Sequence, residues 1–176
     1  MRFGGLQMSV SNSSGAGARS TEQVFGTPTE FILAVQRKYG PISFDLAASE
    51  EAHVHPQYYT EQDDSLDPQT IWPDTPPGCW NWLNPPFSKI APWMERSKKD
   101  AGKGKQIMAL VPASVGSKWF SYYVDGAARV KFLRPRSTFI GHTQSFPKDL
   151  MLCLFTPAYV TGFIAQKCEC VDWREW

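Results

Sequence analysis

No uninterrupted apolar run in the 176 residues approaches the roughly 18 to 20 that a membrane-spanning helix needs. The opening segment, MRFGGLQMSVSNSSGAGARS, also lacks the contiguous apolar stretch of a secretory signal. Cysteine is sparse, and without an export signal Cys79, Cys153, Cys168 and Cys170 are expected to be reduced thiols rather than a disulfide framework. Cys168-x-Cys170 has no histidine pair nearby, and His53, His55 and His142 show no carboxylate spacing suited to zinc, so no metal is expected. No internal repeat is present. These absences point to a soluble cytoplasmic protein.

What is abundant is apolar and aromatic: 42% hydrophobic residues, with 7 Trp, 6 Tyr and 11 Phe, enough to build a core over most of the chain. The length suits one domain plus a tail. Net charge is only +1, but it conceals a division. Residues 20–88 carry 10 acidic and 2 basic side chains, whereas residues 89–150 carry 12 basic and 4 acidic. Two surfaces with different partners are implied, the basic one suited to a polyanion and the acidic one to a small polar or cationic ligand. Ordinary solvated faces would give the same count.

Residues 1–22, rich in Gly, Ser and Ala, read as a mobile leader, with the domain covering residues 23–176 and order beginning near Val24. Thr27-Pro28-Thr29-Glu30 predicts a helix start: Thr27 as N-cap, Pro28 at the first helical position, Glu30 closing a capping box. Phe31, Ala34 and Val35 share a face, and Gly40-Pro41 ends the helix. Strands are predicted at residues 42–47, 57–60, 80–84, 107–111, 129–133, 151–155 and 163–171. Helices are predicted from Ser88 to about Ala101 and over residues 117–124. Short apolar strands alternating with helices predict an α/β sandwich around a largely parallel sheet.

Asn84-Pro85-Pro86-Phe87 is the sharpest signal. It follows an apolar strand and precedes a helix, so it lies at a strand's carboxyl end, where open α/β sheets bind ligands. Proline has no N–H, so Pro85 offers only a carbonyl, and the second proline stiffens the turn. The Asn84 amide oxygen supplies another acceptor, and Phe87 an aromatic face. Two acceptors converging on one NH2 suit a planar amine such as the exocyclic amine of adenine. Holding its protons out of the ring plane makes the delocalised lone pair available for attack. A base in a duplex must first be flipped out to reach such a turn.

The tetrapeptide matches the (D/N/S)PP(Y/F) motif of amino-directed S-adenosylmethionine (SAM) methyltransferases. The order of the surrounding blocks resembles the small phage-type DNA N-6-adenine methyltransferases, the Dam-like family. Those blocks are Thr27-Pro28, Asp45-Leu46-Ala47-Ala48-Ser49, Tyr58-Tyr59-Thr60, Asp63-Asp64-Ser65-Leu66, Trp72 and the tetrapeptide. Val111-Pro112-Ala113-Ser114, Lys118-Trp119-Phe120 and residues 132–139 follow, so the resemblance covers roughly residues 24–156. It implies a single-domain, Rossmann-like class I methyltransferase sandwich in a compact variant with a mostly parallel sheet, SAM as donor and DNA adenine as acceptor. The catalytic set is then Asn84, Pro85, Pro86 and Phe87. Asp45, Ala47 and Ser49 would form the cofactor loop, although Ala47-Ala48-Ser49 stands where the wider superfamily has G-x-G. Asp45 would accept from the methionine ammonium; a turn cap would also account for it. Asp64, spaced to Leu66 as in the superfamily's Asp-x-Leu element, would accept from the cofactor's adenine amine, with Asp63 the less suited neighbour. Thr27 and Pro28 would border the cofactor.

On the basic half, Lys118, Arg129, Lys131, Arg134 and Arg136 lie near Trp119, Phe132 and Phe139, a pattern suited to phosphate contacts. Lys118, Arg134 and Arg136 are the foremost DNA candidates. If Arg134 and Arg136 belong to a strand, they share one face. A methyltransferase for another planar nitrogen (a protein glutamine amide or RNA adenine) and an inactive DNA-binding relative remain open on this evidence. The implied setting is phage or prophage DNA shielded from host restriction.

Overall fold

The computed structural model describes residues 26–176, so the expected leader and the start of order near Val24 lie outside the described residues. Six strands form one sheet: β1 (Ile42–Asp45), β2 (Trp80–Leu83), β3 (Ile107–Pro112), β4 (Arg129–Arg134), β5 (Leu150–Phe155) and β6 (Cys168–Asp172). Their spatial order is β1-β2-β3-β5-β4-β6. The pairs β1/β2, β2/β3 and β4/β6 are parallel, while β5 runs antiparallel to both β3 and β4. The sheet is therefore mixed, and the expectation of a largely parallel sheet holds only in part. The β4–β5 connection returns the chain alongside β4, so a reversed strand lies between two that run the same way.

Side chains alternate across the sheet and build a core on each face. Leu83, Ile107, Ala109, Val111, Val130, Met151 and Cys153 point to one side, where α2 (Ile90–Ala101) contributes Ile90, Trp93 and Met94. Trp80, Trp82, Met108, Leu110, Leu150, Leu152 and Leu154 point to the other, where α1 (Thr29–Tyr39) contributes Phe31, Ile32, Ala34 and Val35. β3 and β5 are buried at every position. Burying one large apolar side chain stabilises by about 1.5–3 kcal/mol, so a one-residue slip in either strand would cost several such terms.

Local details differ from expectation where tertiary contacts prevail. α1 begins at Thr29 with Pro28 as N-cap and no side-chain cap bond, so the Thr27–Glu30 capping box does not form. The helix does end at Gly40, whose φ of 110° suits glycine and where a Cβ would collide with the Gly78 carbonyl oxygen. Ser88 does not cap α2, whose N-cap is Lys89. Residues 57–60 make only an isolated bridge from Tyr58 to Asp45 rather than a strand. After a one-turn helix, α3 (Pro157–Val160), the last strand is shorter than expected, because residues 163–167 are bend and coil and pairing begins only at Cys168. Residues 120–124 form a single π-helical turn.

Candidate active site

Because β1, β2, β3, β4 and β6 run the same way, Asp45, Leu83, Pro112, Arg134 and Asp172 all end at one edge of the sheet. β5 starts there, with Leu150 opposite Pro112. Segments far apart in sequence thus meet at the edge where such sheets bind ligands.

Asn84-Pro85-Pro86-Phe87 leaves the end of β2 at the middle of this edge. Pro85 is buried, and no donor among the described residues takes its carbonyl. Asn84 Nδ2 donates to Thr27 Oγ1 at 3.2 Å, and Thr27 is itself buried. Thr27 therefore braces the turn rather than capping α1. Phe87 meets Phe146 edge-to-face with ring centroids at 5.4 Å and Phe139 at 6.2 Å, while Phe139 and Phe146 pack on each other at 5.4 Å. The β4–β5 connection, which carries both rings, holds the orientation of Phe87.

Asp45 sits at the end of neighbouring β1 and is 2% exposed. Its Oδ1 accepts from the Ala47 N–H at 3.3 Å and its Oδ2 from the Val54 N–H at 3.0 Å. Burial raises its pKa to about 6, against those N–H groups and the nearby His53 and His55, which lower it. Both oxygens thus tie down the loop that follows β1. Ser49 closes a turn inside that loop, its Oγ accepting from the Ala52 N–H at 3.1 Å, and Ala47 packs against the core. His53 and His55 both lie in this loop, with His53 stacked on Tyr58 at 4.5 Å.

The Asp63-Asp64 pair follows the Tyr58 bridge. Asp63 accepts from the Thr60 N–H at 2.7 Å and the Thr60 hydroxyl at 2.8 Å, bonds that hold its carboxyl below the usual range. Asp64 is exposed at a left-handed φ of 41°, with Oδ1 accepting from the Leu66 N–H at 3.3 Å. The segment is anchored from below. Buried Trp72 donates its indole N–H to Ser65, and Arg96 of α2 lies 5.1 Å from the centroid of the Trp72 ring. Arg96 also donates to the carbonyls of Asp67 (3.2 Å) and Thr70 (2.6 Å) while pairing with Asp100 at 2.7 Å. Sequence reasoning missed Arg96, which carries no motif; its helical spacing to Asp100 was the available signal.

The basic residues divide into two groups. Lys118, just past β3, and Arg134 and Arg136, at and past the end of β4, are exposed at the same edge as Asn84. Arg136 lies beyond the strand, in the turn, so it does not share a strand face with Arg134. Arg129 and Lys131 are spent elsewhere: Glu169 of β6 accepts from Arg129 at 3.3 Å and also from Lys131 and Lys167. Lys131 is 4% exposed, and burial lowers its pKa to about 8. Both side chains are thus engaged with β6 rather than free at the edge where β2 ends. All four cysteines are free thiols. Among the described residues no group of His, Cys, Asp or Glu could hold a metal ion, and no helix is long and apolar enough to cross a membrane.

The fold is thus an α/β sheet with a proline-rich turn at the carboxyl-terminal edge of β2, next to an aspartate-tethered loop on the adjacent strand. The chain belongs to the DNA N-6-adenine-methyltransferase (Dam) family, whose sequence model matches residues 16–152. It is 28% identical over 116 residues to the DNA N-6-adenine-methyltransferase of Escherichia phage T1. That match covers 63% of this chain and 44% of the relative, so this chain spans less than half of the phage protein's length.

Proposed function

We propose that this chain transfers a methyl group from SAM to the exocyclic N6 amine of an adenine flipped out of DNA, within a particular target sequence. The observation that carries the reading is the buried Pro85 carbonyl beside the braced Asn84 amide, two strand-end groups adjoining the Asp45 loop.

The residues fit a SAM molecule. Residues 47–49 of the loop carry small side chains that let a ligand approach the backbone, and Asp45 holds that loop in shape. Asp64 Oδ2, exposed and without a bond among the described residues, offers an acceptor for an adenine amine. Thr27, bonded to Asn84, and its neighbour Pro28 would border the cofactor. When bound, SAM supplies an electrophilic methyl group on a sulfonium.

The chain's own part is acceptance and orientation. The Asn84 amide oxygen and the Pro85 carbonyl accept the two N6 protons, withdrawing the nitrogen lone pair from conjugation with the ring. Phe87, propped by Phe139 and Phe146, gives the base a face to rest on. Pro86 keeps the turn from relaxing when the base leaves. Lys118, Arg134 and Arg136 contact phosphates along the same edge. The source of the phage relative supports a phage or prophage setting in a bacterial cytoplasm.

Tritium transfer from labelled SAM to unmethylated DNA, followed by nucleoside digestion, tests the reading. Label in N6-methyl-2′-deoxyadenosine is the expected result. Folded protein that binds SAM but labels only RNA or protein would overturn it.

A further inference from the structure

A second concavity, of about 350 Å³, opens at the same sheet edge on the α1 side. Its wall comes from three separate segments: Glu30 and Arg37 of α1, Arg136 and Ser137 after β4, and Trp173 and Arg174 after β6. Three guanidinium groups thus face one carboxylate. Arg136 is steadied by Asp149 at 2.8 Å through Nε alone, leaving its terminal N–H groups available. Arg174 is held by Asp172 through two contacts, at 2.9 and 2.6 Å. Arg37 is exposed and has no ion pair among the described residues. Ser137 is 4% exposed, and its buried hydroxyl has no hydrogen-bond partner. A buried hydroxyl without a partner is costly, and a bound acceptor removes that cost. Guanidinium forks and one hydroxyl around a small cavity match the tetrahedral oxygens of a phosphate.

We propose that this cavity holds a backbone phosphate of the substrate DNA, next to the base presented to Asn84. The proposal rests on the DNA-methylation reading above. What ties it to DNA is continuity. The connection that carries Arg136 and Ser137 runs on to Phe139 and Phe146, the rings packed against Phe87. A strand that delivers its base to Phe87 passes over this connection, and its neighbouring phosphate meets the arginines. Arg136 and Arg174 are already held by their carboxylates, so the phosphate has Arg37 alone to order.

The test measures binding of the full chain to a fluorescent duplex across a salt series, beside a methylation assay. Arg37→Gln, at an exposed position, is expected to keep the fold and to reduce the slope of log affinity against log salt by about one. Ser137→Ala is expected to weaken binding with the slope unchanged and no loss of thermal stability. Glu30→Gln is expected to tighten binding. If wild type binds and methylates DNA while Arg37→Gln and Ser137→Ala match it in affinity and slope, the cavity is no phosphate site, though the enzyme reading stands. If the variants lose only thermal stabilisation by inorganic phosphate, the site takes the free ion and the proposal falls. If wild type shows no salt-dependent DNA binding, the DNA reading fails and this inference with it.

Discussion

Asn84 and Thr27, 57 positions apart in sequence, are joined by a 3.2 Å hydrogen bond from the asparagine amide to the threonine hydroxyl. The acceptor turn at the end of β2 is thus held by the residue just before α1, and helix packing is coupled to the geometry of the turn. On the methylation reading proposed above, Thr27 acts as a positioning residue. A hydrogen bond of this kind contributes about 0.5–1.5 kcal/mol, so Thr27→Ala should slow methyl transfer roughly 2- to 10-fold if the bond matters most in the transition state. Thr27→Ser should restore the rate. Comparing kcat with the thermal midpoint separates this from a purely structural role, for which both would fall together.

Asn84→Ala removes one of the two acceptors. Methyl transfer should drop by at least ~10²-fold, the loss typical when a preorganised polar group is deleted at the reacting atom. Retention of DNA on a filter should stay within about 2-fold, because phosphate contacts supply most of the affinity. An equal fall in DNA retention by a folded variant would make the turn a binding element instead.

Asp45 makes folding stability depend on pH in an unusual direction. Its folded pKa of about 6 lies above the ordinary 3.8, so between those values the folded protein binds the proton more tightly than the unfolded chain. Its contribution to stability therefore falls as pH rises from about 4 to 6, and the penalty is fully present above pH 6. Asp45→Asn should flatten this slope and raise stability near pH 7 by up to about 3 kcal/mol, less the weakening of one backbone hydrogen bond. SAM affinity should fall in the same variant, since the loop of residues 46–54 loses one tether. Denaturant midpoints at pH 5 and 7.5, with calorimetric SAM titration, read both effects.

Arg96→Met should be among the more damaging single changes outside the edge. It leaves Asp100, 2% exposed, with only Lys103 at 3.2 Å, frees the Thr70 carbonyl and leaves the Asp67 carbonyl with the Thr70 N–H alone. A loss of roughly 3 kcal/mol in denaturant unfolding is expected. Arg96→Lys should not rescue it, because an ammonium cannot span two carbonyls and a carboxylate in one plane. SAM binding should weaken alongside, as the segment carrying Asp64 loosens.

Strands β1 to β5 were legible because each is a short apolar run bounded by Gly, Pro or polar residues, a pattern written in adjacent positions. The turn after β2 was legible for the same reason: two prolines between an asparagine and a phenylalanine dictate a rigid corner whose proline carbonyls can only accept. Thr27 was misread as a cap because Thr-Pro-Thr-Glu satisfies the local rule, whereas its hydroxyl found a partner 57 residues away. Residues 57–60 had strand character, yet only Tyr58 pairs, as the chain turns immediately into the Asp63 capping box. Arg129 and Lys131 looked like their neighbours Arg134 and Arg136 until Glu169 on β6 claimed them.

By itself, then, the amino-acid order determined the kind of elements, the two-sided core and the chemistry available at the end of β2, all set by turn residues and short-range periodicity. Tertiary structure alone decided that β5 lies reversed between β3 and β4, that Phe139 and Phe146 prop Phe87, and which cations stay at the edge. Those outcomes follow from strand pairing and ion-pair choices between distant segments, whose energies depend on burial and geometry that no local pattern encodes.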